Sequence, residues 1–131
     1  MGLDQYCFAL LRDDCIEGDD GYLVPKPEDQ RKYELEEVGY WRKHPNLQGL
    51  MEELYQRRGG AEIFNCIPLE LRQEDINYVR QVVLNEALPP THGFFFGSDS
   101  DEHYKQHDLA TLAKAEEAIA NGKVVIYDSW W

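Results

Sequence analysis

The sequence predicts an α+β fold: one domain, spanning 1–131, with a mixed β-sheet of about five strands and three helices mainly on one face. Three observations carry that prediction. After residue 33, segments with an apolar period of 3.6 residues alternate with short runs rich in Val, Ile, Tyr and Phe. An early hairpin and a short third connection point to a mixed sheet with its helices on one side. The 131 residues, 43% of them hydrophobic, have the length of one domain. Such a chain buries roughly two-thirds of its unfolded surface, enough for a core without disulfide or metal staples.

Residues 3–12 alternate, with Leu3, Tyr6, Phe8 and Leu10 as strand formers. The stretch from Asp13 to Gly21 reads as a turn. Its five acids lack the Asp-x-Asp-x-Asp-Gly spacing and the twelfth-position Glu of a calcium loop. Pro25 and Pro27 extend the irregular stretch, so 13–32 is expected to be an exposed acidic loop, with a strand returning at 33–41. His44-Pro45-Asn46 opens a helix with Asn46 as N-cap; Leu47, Leu50, Met51, Leu54 and Tyr55 share one face. Arg57 and Arg58 suit its last turn, and Gly59-Gly60 stops it. Residues 61–71 read as a central strand, although Pro68 argues for an edge position or a bulge near its end. A second helix covers 73–86, with Ile76, Val79, Val82 and Val83 inward, and Leu88-Pro89-Pro90 breaks it. Gly93 to Gly97 reads as a short strand whose three Phe face both sides. Asp99 and Glu102 have capping-box spacing before a long helix to about Ala120. Lys123 to Trp131 closes the chain as a strand.

Charge narrows the function. There are 25 acidic residues against 13 basic ones, a net −12. The 8 Tyr, 5 Phe and 3 Trp beside that charge argue against disorder. The charge repels a phosphate backbone and favours basic partners, or else serves solubility alone. Thus no direct nucleic-acid binding is expected. No apolar run approaches the roughly 18–20 residues of a membrane span. Asp4 stands where a signal peptide wants a base, and Tyr6 where a myristoylation motif wants Ser or Thr. The expectation is a cytoplasmic protein. Three cysteines without a Cys-x-x-Cys pair fit a reducing compartment. Cys7 and Cys66 lie in apolar runs and read as core, whereas carboxylates around Cys15 should raise its thiol pKa.

Several groups are candidates for chemistry. His103 and His107 lie four apart on one helix face, where two imidazoles can hold zinc, but no third ligand follows. Exposed helix surface is the competing reading. Tyr40-Trp41-Arg42-Lys43-His44 is the one dense cationic cluster, just before a helix N-terminus. Arg42 has the shape to fork onto a phosphate or carboxylate, and Trp41 to stack on a ring. The alternative for these charges is local pairing with Glu34, Glu36 and Glu37. Phe95 is either core or the wall of an aromatic pocket. Asp128, on the last strand, is placed to meet Arg42 across the sheet. Trp130 and Trp131 are either an adhesive end that drives self-association or anchors, with at least one expected buried. No Ser/His/Asp order, nucleophile elbow or paired-carboxylate motif is present, so neither an enzymatic activity nor a cofactor is indicated.

Five segments together resemble a family of small uncharacterised phage and prophage proteins. They are Met1-Gly2-Leu3-Asp4-x-Tyr6, Gly39-Tyr40-Trp41-Arg42-Lys43, Leu88-Pro89 leading into Gly93-Phe94-Phe95-Phe96-Gly97-Ser98, Asp101-Glu102-x-Tyr104, and the Tyr127-x-Ser129-Trp130 ending. Members are sometimes labelled phosphoglycerate kinase. At 131 residues there is no room for two nucleotide- and substrate-binding domains, so the resemblance implies an origin rather than that activity. It implies a phage or mobile-element source, and a joint site from the Tyr-Trp-Arg-Lys segment and the Asp101-Glu102 step. His103 and His107 fall outside the shared pattern, and 13–32 varies in length, as an exposed insertion does. The expected function is a non-enzymatic acidic accessory protein that binds a host protein with a basic surface. The alternative is a small-ligand or nucleotide binder using Trp41, Arg42 and Lys43 with Phe95, Asp101 and Glu102.

Overall fold

The computed structural model describes residues 2–91 and 101–131, the side chains of Asp101 and Glu102 excepted. Its elements in order are β1 (Asp4–Leu11), β2 (Cys15–Glu17), β3 (Leu23–Pro25), β4 (Glu36–Arg42), α1 (Pro45–Arg57), β5 (Leu69–Glu70), α2 (Gln73–Leu84), α3 (Asp101–Ala120) and β6 (Lys123–Trp130). This is the α+β architecture with three helices. The main sheet has four strands in the order β4-β1-β6-β5, and β2 and β3 form a separate ribbon. Where parallel neighbours were expected, the pairings among the described residues are all antiparallel. The reason is the register of the chain ends. β1 pairs along its full length with β6, from Asp4↔Trp130 to Leu11↔Lys123, so the first and last strands form the centre.

Alternation along β1 sorts its side chains. Leu3, Gln5, Cys7 and Ala9 are buried, and Cys7 and Ala9 join Trp41, Val125 and Tyr127 in a core shared with the helices. α1 supplies Leu47, Leu50, Met51 and Leu54, α2 supplies Ile76, Val79 and Val83, and α3 supplies Leu112, Ala115 and Ala118. This is the apolar stripe that a 3.6-residue period places on one side of a helix. On the opposite face, Leu10, Val124 and Ile126 pack with Cys15, and Leu23 and Leu35 lie against them. The ribbon therefore covers one end of that face.

Several expectations change. The 61–71 run is strand only at Leu69–Glu70, at the sheet edge. Pro68 has no N–H to offer a ladder, and Cys66 has φ 60°, which turns the chain. The segment still follows β6, because Cys66 N–H donates to Ser129 O at 2.8 Å. That turn leaves Cys66 exposed rather than in the core. Residues 13–32 contain the β2–β3 ribbon, and Asp14 within them is 3% exposed. Its carboxylate accepts the Lys32 N–H at 2.8 Å and the Tyr33 N–H at 3.3 Å, which ties the returning chain to the ribbon. The N-cap position of α1 is His44 rather than Asn46. Pro45 takes the first turn, where a missing N–H is harmless, and Asn46 Oδ1 instead accepts the Thr91 N–H at 2.8 Å. The strand expected at 93–97 and the cap residue Asp99 lie outside the described residues.

α3 approaches β4 closely at Gly39. A Cβ there would sit 2.3 Å from Cγ2 of Thr111, which is itself 3% exposed. Gly39→Ala is expected to destabilise the protein by about 1–3 kcal/mol through overpacking. Thr111→Ala in the same chain should recover part of the loss. Denaturant unfolding of the two single variants and the double variant checks this coupling.

Candidate functional site

Strand geometry divides the Tyr40–Lys43 cluster. Successive side chains of a strand point to opposite faces, so Tyr40 and Arg42 share one face while Trp41 turns to the other. Trp41 is 3% exposed, and its indole N–H donates to Asp108 Oδ1 at 2.7 Å. Lys43 follows at φ 58°, an unusual value for a residue with a Cβ, and its side chain is exposed at the corner before α1. The expected convergence of Tyr40, Trp41, Arg42 and Lys43 on one ligand is therefore not formed. Arg42 Nη1 lies 3.8 Å from Asp4 Oδ1, rather than beside Asp128 or the glutamates of 34–37. Register explains this: Arg42 is opposite Asp4 on β1, whereas Asp128 is opposite Tyr6 on the far side of that strand. Phe95 lies outside the described residues. Asp101 and Glu102 open α3, and their side chains lie outside the described set.

Beneath the strand is a buried polar network that sequence reasoning missed. His44 Nε2 lies 3.0 Å from Asp108 Oδ2, with side-chain exposures of 0% and 2%. Gln5 brackets the His44 backbone: its amide donates to His44 O at 3.0 Å, and its carbonyl accepts His44 N–H at 2.8 Å. The same Gln5 amide donates to the Tyr127 hydroxyl at 2.9 Å, and Tyr127 donates to Gln48 Oε1. Gln48 donates onward to Ser129 Oγ at 2.9 Å and to Phe64 O at 3.2 Å. Burial holds the Tyr127 phenol well above the usual tyrosine range. A void of about 10 Å³ touches Trp41, Asp108 and Tyr127, the lower limit for a single water. These groups satisfy one another and join β1, β4, α1, α3 and β6; they are a structural centre rather than a site open to a ligand. The one hint in the sequence is that His44, Gln48 and Asp108 fall on inward helical or corner positions.

α3 also covers part of the β4 edge. Tyr104 Oη donates to Arg42 O and accepts Arg42 N–H at 3.2 Å, while His107 Nε2 sits 2.6 Å from Tyr40 O. His103 and His107 are both exposed. No group of three metal-ligating side chains occurs among the described residues.

The outward face of the sheet is different in kind. Three cross-strand rows run over it: Trp130–Asp4–Arg42, Asp128–Tyr6–Tyr40 and Ile126–Phe8–Glu37. The Tyr6 and Phe8 rings stack at 5.5 Å with a 9° interplanar angle, and Tyr6 and Tyr40 lie 5.1 Å apart. Tyr40 Oη donates to Asp4 Oδ1 at 2.5 Å. Trp130 is 62% exposed. Trp131 is half-buried, its indole donating to Phe64 O at 3.1 Å, so one terminal indole anchors the strand and the other faces out. Burial raises the Tyr6 phenol, and Asp4 and Glu37 add to the rise. The Asp4 hydrogen bond, with burial and the Asp4 charge behind it, does the same for Tyr40.

The acidic charge is also concentrated. Between residues 13 and 37, ten acids stand against Lys26, Arg31 and Lys32, a net −7 of the chain's −12. Of those acids only Asp14 is buried. Burial, helped by Glu70 and Asp14, lifts the Cys15 thiol to about 11, and burial lifts Cys7 to about 12, so neither is a nucleophile near neutrality.

No protein-family model matches the chain, and neither a curated protein nor a solved structure does.

Asp128 gives a pH signature. Burial raises its carboxyl above the usual aspartate range, and the Ser129 N–H bond only partly opposes this. A raised folded pKa means the native state holds the proton more tightly than the unfolded chain. The associated stability is present below the unfolded pKa and lost as pH rises through the folded one. Asp128→Asn should therefore raise Tm relative to the parent more at about pH 7 than at about pH 3. An equal Tm difference at both pH values would contradict the assignment.

Proposed function

We propose that the chain is a non-enzymatic protein-binding module, of phage or mobile-element origin, that acts in the host cytoplasm on a host protein with a basic surface. The carrying observation is the placement of charge: −7 lies between residues 13 and 37, mostly in the turns and loops around the ribbon and at the start of β4, with nine of its ten acids exposed. Exposed charge of one sign concentrated in one stretch of chain steers a cationic partner and makes association sensitive to salt. The outward sheet face extends the surface with aromatic rings, which supply contact area at low entropic loss. The basic face of a nucleic-acid-binding protein has the complementary chemistry. A nucleotide pocket using Trp41 as its stacking platform has less support, because that indole is buried and bonded to Asp108. No helix among the described residues is long and apolar enough to cross a membrane.

The test is capture from host lysate with the parent chain and a variant in which Glu17, Asp19, Asp20, Glu28 and Asp29 become their amides. The expected result is a captured protein of basic isoelectric point. Its recovery falls several-fold between low and moderate salt, and again with the amide variant. Equal recovery by both chains, or capture at neither salt, would contradict the reading.

A further inference from the structure

The ring of Tyr22 shows how this chain holds a guanidinium. Arg58 lies 3.7 Å from the ring centroid and Arg72 4.3 Å from it. Each has a carboxylate as well: Arg58 Nη2 is 2.8 Å from Asp75 Oδ2, and Arg72 Nε is 3.2 Å from Glu70 Oε1. A ring against the plane and a carboxylate at the edge suit a flat cation with five donors.

The outward sheet face holds the same parts, with no cation at Asp128 among the described residues. Tyr6 and Tyr40 present adjacent rings, with Asp128 beside Tyr6 in the same row. Asp128 Oδ1 accepts the Ser129 N–H at 2.8 Å, and among the described residues no cation lies within ion-pair distance of it. The Tyr6 hydroxyl has no hydrogen-bond partner among the described residues. The arginine of this face, Arg42, touches the next carboxylate loosely, at 3.8 Å with 59% of its side chain exposed. A half-buried carboxylate facing aromatic rings, on a chain of strongly negative charge, is complementary to an arriving guanidinium.

We propose that this face receives arginine side chains of the basic partner. The guanidinium lies over the Tyr6 and Tyr40 rings and forks onto Asp128, and Trp130 packs along its aliphatic stem. Arginine fits better than lysine because its plane stacks and its donors pair with both carboxylate oxygens, whereas an ammonium is a compact, strongly hydrated charge. Arg42 acts as a local competitor by shielding Asp4. The proposal rests on the reading of the chain as a module for basic proteins, and names the side chain it reads.

The experiment titrates hexa-arginine and hexa-lysine peptides into the full chain, measures affinity by isothermal titration calorimetry and, in the chains that keep Trp130, follows its indole resonance by NMR. It is repeated with Asp128→Asn, Trp130→Ala, Arg42→Ala and the ribbon amide variant described above. Hexa-arginine should saturate, move the Trp130 resonance and bind about three- to tenfold tighter than hexa-lysine. Asp128→Asn and Trp130→Ala should each weaken it about three- to tenfold, and Arg42→Ala should tighten it. Trp130 is exposed, so its replacement leaves a folded readout even if the Asp128 variant is altered. If both variants bind like the parent and the Trp130 resonance stays still, the arginine site is wrong. Loss of binding in the ribbon variant alone would then leave the acidic module standing. Failure of the parent chain to bind either peptide would overturn both.

Discussion

The carboxylate of Asp108 decides which part of the Tyr40–His44 segment meets solvent. One oxygen takes the Trp41 indole N–H at 2.7 Å and the other faces His44 Nε2 at 3.0 Å, with all three residues at 3% exposure or less. A buried carboxylate left without such partners would cost several kcal/mol. The contact therefore fixes α3 against the corner where β4 becomes α1. Gln5 holds the backbone of that corner from below, and Tyr104 and His107 hold its edge. With Trp41 committed inward, strand alternation leaves Tyr40 and Arg42 outward.

Two surfaces of different character follow from that arrangement. The inner face of the sheet is closed by helices and by a polar chain in which Gln5, Tyr127, Gln48 and Ser129 bond one another. Complete pairing lets so many polar groups be buried, since each unpaired one is a net loss. Among the described residues, the outer face is closed where Leu23 and Leu35 lie against Leu10, Val124 and Ile126. Beyond Ile126, aromatic rings and carboxylates remain. Asp128, half-buried there with no ion-pair partner among the described residues, works against stability.

The helices were legible in the sequence because their apolar positions repeat every 3.6 residues and their stops are glycine or proline. Leu47 to Tyr55 and Ile76 to Val83 lie where that period puts them. The first and last strands were legible from Val, Ile and aromatic content. The 61–71 run was overread, because apolar content alone cannot distinguish a ladder from a loop that merely follows one, and Pro68 and the turn at Cys66 decided the matter. The Tyr40–Lys43 cluster misled through adjacency: neighbours in a strand point apart, and only register shows which carboxylate each cation meets. The network around His44 was invisible, because Gln5, Gln48, Asp108 and Tyr127 are 122 positions apart at the extremes and unite only through tertiary packing. The charge concentrated between residues 13 and 37 was legible as a count, but its place in the turns around a ribbon and at the start of an edge strand was not.

Trp41 faces inward on Asp108 while Trp130 faces outward. Hydrogen exchange of the indole N–H groups, followed by NMR, tests this most directly. The Trp41 indole should be protected to a degree approaching that of global unfolding, and the Trp130 indole should exchange freely. A Trp41 indole that exchanges as fast as that of Trp130 would contradict the account.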